Sequence, residues 1–178
     1  MLVLSEVIED RKVMSIHAGK AIAKLSAAVI EPTTLKIIGF SVRAPGIKFF
    51  TVLHSSDIRE WGALGVVVNS EDAIIEVDEN MPKVRKVIDS KFILDGLGVR
   101  TESGKRLGKV VNFIFETEGY FIVKLYVERA GILSLAGKTL IIERGCITNV
   151  TNKFIEVKDA VIKSEAQKNT KAEYGFEA

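Results

Sequence analysis

The stretch that decides the fold is Gly104-Lys105-Arg106-Leu107-Gly108-Lys109-Val110-Val111, a glycine turn followed by basic and then aliphatic residues. A related stretch, His17-Ala18-Gly19-Lys20-Ala21-Ile22-Ala23-Lys24, precedes it, and its Gly19 lies 85 positions before Gly104. Moving residues 13–47 by 85 positions places them on residues 98–132 without a gap, and 8 of the 35 aligned positions are identical. A constant offset over this length predicts an internal duplication.

The alignment continues with a second offset further along the chain. After a deletion of five residues, residues 64–77 align with residues 144–157, and five positions are identical, including Asn69 with Asn149 and Glu76 with Glu156. In each copy the two apolar runs of this segment look like a closing hairpin, formed by residues 66–69 with 73–77 and by residues 146–149 with 154–157.

Short apolar runs indicate an all-β fold. The chain has 20 Val and 20 Ile but only 3 Pro, and β-branched residues favour strands. Runs of strand length, bounded by Gly, Asn, Thr or charged residues, occur at residues 27–30, 35–42, 65–68, 73–77, 110–115, 120–127, 139–142 and 153–157.

The repeat also predicts the domain boundaries. A first domain is expected at residues 1–79, a linker at 80–91, a second domain at 92–163 and a flexible tail at 164–178. Pro82 and the loss of the apolar pattern indicate the linker, and the polar composition indicates the tail.

Composition argues against several function classes. The only cysteine is Cys146 and the only histidines are His17 and His54, so we expect no disulfide framework, no metal site, no cofactor and no catalytic residue. No apolar run approaches the ~20 residues that span a bilayer, and no signal peptide is evident, which predicts a cytoplasmic protein without membrane insertion.

Three aromatic residues form the first candidate site. Phe49, Phe50 and Trp61 fall in the connection where the first copy is five residues longer than the second. Aromatic side chains bring a large apolar surface that must lie against something. They are therefore predicted to close one end of their own unit, to pack against the other copy, or to form an interface with a second chain or a protein partner.

Basic residues form a second candidate site. Residues 80–91 and 92–163 each carry a net charge of +3, whereas residues 1–79 carry −3. The candidate phosphate contacts in this basic part of the chain are Lys83, Arg85, Lys86, Arg100, Lys105 and Arg106.

The opening motif of each copy, a glycine turn followed by a basic residue, an aliphatic residue, a small residue and a strand, resembles the PRC-barrel domain. The resemblance covers about residues 2–163 and fits the second copy better, because Ala23 stands in the first copy where the second has Gly108. It implies two small, highly curved β-barrels of about six strands each, related by internal duplication.

The roles of the PRC-barrel family include ribosome assembly, support of a photosynthetic complex and archaeal cell division. The resemblance therefore implies a non-enzymatic adaptor or scaffold that binds a protein partner, and a homodimer is left open. The alternative is a ribosome- or RNA-associated assembly factor similar to RimM-type maturation factors. The two hypotheses differ in salt dependence, since phosphate binding weakens steeply with salt.

Overall fold

The computed structural model describes residues 1–46, 50–77, 82–129 and 139–161, without the side chains of residues 82 and 83. Phe49, the side chain of Lys83 and the predicted flexible tail at residues 164–178 lie outside the described residues.

The first sheet is formed by the N-terminal half of the chain and has seven strands. They are β2 Lys12–Ser15, β3 Lys20–Glu31, β4 Lys36–Arg43, β5 Thr51–His54, β6 Glu60–Gly62, β7 Gly65–Val68 and β8 Ile74–Glu76. Their order is β6-β7-β2-β3-β4-β5-β8, and β2 and β7 run parallel while the other neighbours are antiparallel.

The second sheet also has seven strands, and one of them comes from the N-terminus. It contains β9 Gly98–Thr101, β10 Arg106–Glu116, β11 Ile122–Arg129, β12 Leu140–Glu143, β13 Ile147–Val150 and β14 Phe154–Val157 in the order β12-β11-β10-β9-β14-β13. Strand β1, Leu2–Leu4, pairs with the far end of β10, and β14 runs parallel to β9. The N-terminal strand of the predicted first domain thus belongs to the second sheet, and the domain boundaries remain a prediction.

The mostly-β prediction is confirmed, because each of the eight predicted apolar runs overlaps a strand. The predicted closed barrels are not confirmed. Within the described ranges no ladder joins the first and last strands of either sheet.

The predicted linker contains a helix that the sequence analysis did not assign. Helix α1 spans Pro82–Asp89, and proline suits the first turn of a helix because the missing N–H has no partner there anyway. Val84 is buried with Val29 and Val52 of the first sheet, and Val87 and Ile88 pack against the same cluster. The helix therefore covers one face of the first sheet.

The predicted closing hairpin is right in the second half and wrong in the first. Strands β13 and β14 pair with each other, but β7 pairs with β6 and β2 while β8 pairs with β5. Since β7 and β14 are the strands that run parallel to β2 and β9, they are equivalent by position. The alignment of residues 64–77 with 144–157 placed β7 on β13. It therefore matched strands of similar composition that occupy different positions in their sheets.

The central hairpins of the two halves have the same register. In the first half Leu25 faces Val42 and Ile30 faces Ile37, and 85 residues later Val110 faces Val127 and Phe115 faces Ile122. Both ladders also shift register at corresponding places. Before the glycine turn the offset between equivalent residues becomes 86. Lys12 pairs with Lys24 in the first half, and the corresponding pair in the second half is Gly98 with Lys109.

The two halves meet through a reciprocal pair of backbone hydrogen bonds. The Ile37 N–H donates to the Tyr120 carbonyl at 2.8 Å, and the Ile122 N–H donates to the Leu35 carbonyl at 3.0 Å. The donors lie 85 positions apart in the sequence and so do the acceptors, so each bond is the counterpart of the other. Leu35 and Tyr120 also share a left-handed backbone, with φ of 51° and 61°. The contact therefore has the reciprocity of an isologous interface.

One hydrophobic core crosses the junction between the halves. Phe40 and Trp61 of the first half pack against Phe115 and Tyr120 of the second, and the ring contacts between the halves have centroids 5.3–6.2 Å apart. The Trp61 Nε1–H donates to the Tyr120 hydroxyl at 3.2 Å. Buried aromatic side chains from both halves therefore pack together at the junction.

Candidate functional site

A groove of about 410 Å³ lies where the two halves meet, and we call it the junction groove. Ile8 and Leu94, which are only 3% and 2% exposed, line it deeply, while Ile93 is 70% exposed and Val111 is 45% exposed. Its described lining residues are Ser5, Glu6, Ile8, Glu9, residues 26–28, Ile30, residues 92–95 and residues 110–113. The groove thus combines an apolar base with apolar side chains open to solvent.

Among the residues that the structure describes, the ionisable side chains that line the junction groove are all acidic. They are Glu6, Glu9 and Asp95, all exposed, and this described lining contains no Lys or Arg. The Asn112 amide donates to Glu6 at 3.5 Å, and Arg43 lies 3.9 Å from Glu9 at the margin. The groove therefore presents negative charge around an apolar base.

A second cavity, of about 500 Å³, is basic and lies wholly in the second half; we call it the basic cavity. Its lining contains five cationic side chains and one carboxylate, which belong to Arg100, Arg106, Lys109, Arg129, Lys153 and Glu128. The Arg100 guanidinium stacks 3.5 Å from the Phe154 ring centroid and donates to Glu156 at 2.7 Å. The hydrogen bonds from Asn149 and Arg100 lower the pKa of Glu156.

The corresponding surface of the first half differs in charge. Lys24 stands at the position of Lys109, and Arg43 at that of Glu128. Asp10 lies 3.6 Å from Lys24 and 3.0 Å from Arg43, so one carboxylate pairs with two cations of this surface. The described lining here holds three cations, Lys12, Lys24 and Arg43, against five in the basic cavity.

The structure places two of the three predicted interface aromatics in different environments. Trp61 is 8% exposed and packs against the other half, which is one of the environments predicted for it. Phe50 is 51% exposed just before β5, and Phe49 is outside the described residues. An interface role for Phe49 and Phe50 remains a prediction.

The predicted phosphate contacts lie on different elements. Arg100 and Arg106 line the basic cavity together, and Lys105 is exposed beside Arg106. Arg85 and Lys86 belong to α1, whose apolar face packs against the first sheet, and Arg85 lies 3.9 Å from Asp89. The structure thus brings two of the six predicted residues into one cavity.

Sequence reasoning did not single out Ile93, Val111, Lys109 or Lys153. Lys109 belongs to the glycine-turn motif, but strict alternation would place it on the face of β10 opposite to Arg106, three positions earlier. The β9–β10 ladder shifts register between Arg106 and Gly108, and both Arg106 and Lys109 line the cavity. The other residues come together only through pairing between distant segments. No sequence signal marks them.

The described residues contain no group of three or more His, Cys, Asp or Glu side chains that could hold a metal ion. His17 is exposed in a turn, His54 accepts a hydrogen bond from the Ser56 N–H at 3.3 Å, and Cys146 is a half-buried free thiol. Across the same ranges no helical segment has the length and hydrophobicity needed to cross a lipid bilayer.

Two equivalent glutamates cap the central hairpins. Burial raises the pKa of Glu31 and of Glu116, but hydrogen bonds from the following turn outweigh it, so both pKa values are lowered. Glu31 accepts from Thr33 and Thr34, and Glu116 accepts from the turn that reaches Phe121. These carboxylates therefore stabilise turns.

Tyr120 completes the junction between the halves. Burial raises the pKa of its hydroxyl, the hydrogen bond from Trp61 opposes this shift, and the charge of Glu116 adds to it. The group stays protonated at neutral pH and keeps its place as a hydrogen-bond acceptor in the core.

The comparisons with known proteins concern the second half of the chain. Residues 93–163 match the family model described as the PRC-barrel domain. The matched residues make up less than half of the chain. No curated protein matches the sequence. The match supports one PRC-barrel domain, which contains β9–β14 and the whole basic cavity.

Proposed function

We propose that the protein is a non-enzymatic, cytoplasmic adaptor built from two PRC-type units, and that its junction groove binds a protein partner. The observation that carries this proposal is the exposed apolar surface of that groove. Ile93 and Val111 are open to solvent above the buried Ile8 and Leu94, and apolar anchors over a packed base are typical of interface centres.

The tandem arrangement is part of the proposal. The family match covers a single unit, but the shared register of β3–β4 and β10–β11 supports a second unit in the first half. The reciprocal bonds between the Leu35 and Tyr120 turns support an origin by duplication and fusion of two like units. Assembly of a larger complex, such as a cell-division complex, is the kind of process this architecture would serve.

The test is affinity capture from the native cell with two matched variants. Ile93→Asp changes an exposed groove residue, and Leu64→Asp changes a residue 81% exposed in the β6–β7 turn, outside the groove. We expect the first variant to lose a protein that the wild type and the second variant retain. Identical captures from all three proteins would contradict the proposal.

The basic cavity favours a second candidate function, an RNA- or ribosome-associated assembly factor. Five cations and one carboxylate line it, with Arg100 also paired to Glu156, and contacts between such cations and phosphates make binding depend steeply on salt. Ribonuclease treatment during capture separates the candidates. A partner that is lost with RNA and depends on Arg106 and Lys109 would support this second function instead.

A further inference from the structure

We infer that the junction groove selects a partner segment with an apolar centre and basic flanks. This inference rests on the proposed function and adds the chemistry of the partner. It follows from two features found at the same place: an apolar base that can take an aliphatic or aromatic anchor, and a border on which the charges are negative.

The apolar centre follows from the depth profile of the groove. Ile8 and Leu94 are almost fully buried beneath the exposed Ile93 and Val111. Ala27 and Ala28 of β3 also line the groove, and because their side chains are single methyl groups they leave room for a side chain of the partner. The volume of about 410 Å³ suits a short segment, within the range typical of small binding sites.

The basic flanks follow from the charge of the border. Glu6, Glu9 and Asp95 are exposed, and Glu6 is held by Asn112, whose side-chain oxygen in turn accepts from Ser5. Arg43, which lies 3.9 Å from Glu9 and is not part of the described lining, also pairs with Asp10 at 3.0 Å, so it neutralises the groove only at its margin. Opposite charges at a rim steer association and reject partners of like charge.

A partner other than a second copy of this chain fits these features best. Two identical grooves would not pair well with each other, because Glu6, Glu9 and Asp95 of one copy would face the same carboxylates of the other.

The experiment uses the full chain and two short fluorescent peptides that share one aliphatic centre. One peptide carries lysine flanks and the other glutamate flanks, and binding is measured by fluorescence anisotropy. We expect the lysine peptide to bind at least about tenfold more tightly, and its affinity to fall as salt is added. A triple variant, Glu6→Gln/Glu9→Gln/Asp95→Asn, removes the negative charges of the border and should bind the lysine peptide about tenfold more weakly.

Two groove variants locate the binding. Ile93→Asp should abolish binding of the lysine peptide, whereas Leu64→Asp should leave it unchanged. The inference would be overturned if both peptides bound equally or if neither bound. It would also be overturned if the Ile93→Asp variant bound the lysine peptide as the wild type does, or if the chain associated with itself through Ile93. If cellular capture still depends on Ile93 while the peptides fail, only the chemistry of the partner is wrong and the proposed function stands.

Discussion

Removing the Trp61 side chain should destabilise the whole protein. Trp61 is 8% exposed, its ring centroid lies 5.3 Å from that of Phe115 and 5.5 Å from that of Phe40, and it donates to Tyr120. Truncating a buried aromatic residue to alanine costs about 3–5 kcal/mol. A domain of ordinary stability has about 5–15 kcal/mol, so Trp61→Ala should remove a large share of the free energy of unfolding.

Urea denaturation followed by far-ultraviolet circular dichroism measures this change, because Trp61 is the only tryptophan and its fluorescence is lost in the variant. Phe50→Ala is the matched control, since that ring is 51% exposed and should change stability by about 0.5 kcal/mol or less. Trp61→Phe keeps a ring but removes the donor to Tyr120, and should cost about 1–2 kcal/mol. A Trp61→Ala variant that lost less than about 1 kcal/mol would refute the inter-half role.

Two further predictions concern backbone geometry and pH. Gly108 has φ of 156° and a Cβ there would overlap the Glu128 carbonyl, so Gly108→Ala should cost about 2–3 kcal/mol in a thermal melt. Gly104→Ala, at φ of 87° with open space around it, should cost about 1 kcal/mol, and equal losses would contradict the steric argument. Because the folded pKa values of Glu31 and Glu116 are lowered, their stabilisation is complete above the unfolded pKa of about 4.3 and is lost as pH falls through the folded pKa. Denaturation midpoints from about pH 6 to pH 3 should therefore fall less in a Glu31→Gln/Glu116→Gln variant than in the wild type, and parallel curves would exclude this cause.

The sequence alone determined the strand content and the 85-residue offset that relates the two central hairpins. Strand content follows from residue type, since β-branched runs bounded by turn residues fit a pleated sheet wherever they lie in space. The 85-residue offset matched the observed pairing of β3 with β4 and of β10 with β11, because one hairpin is a local unit whose register its turn and alternation fix.

The same reasoning failed where pairing is not local. Residues 74–76 form a strand as predicted, but they pair with β5 and not with β7. Residues 2–4 join the second sheet, although they lie more than 100 positions from their partners. Which edge a short strand joins depends on the space and hydrogen-bonding groups that the other strands leave open, and no local pattern encodes that.

The candidate sites show the same division. The sequence picked out Trp61 because an aromatic residue in an added loop must be covered, but only the structure shows that Phe115 and Tyr120 cover it. It picked out Arg100 and Arg106 by charge, but their shared cavity with Lys153 needs the parallel pairing of β9 with β14. Residue type determines which groups need partners, whereas tertiary pairing decides which distant groups meet, because a folded chain brings together segments that lie far apart in sequence.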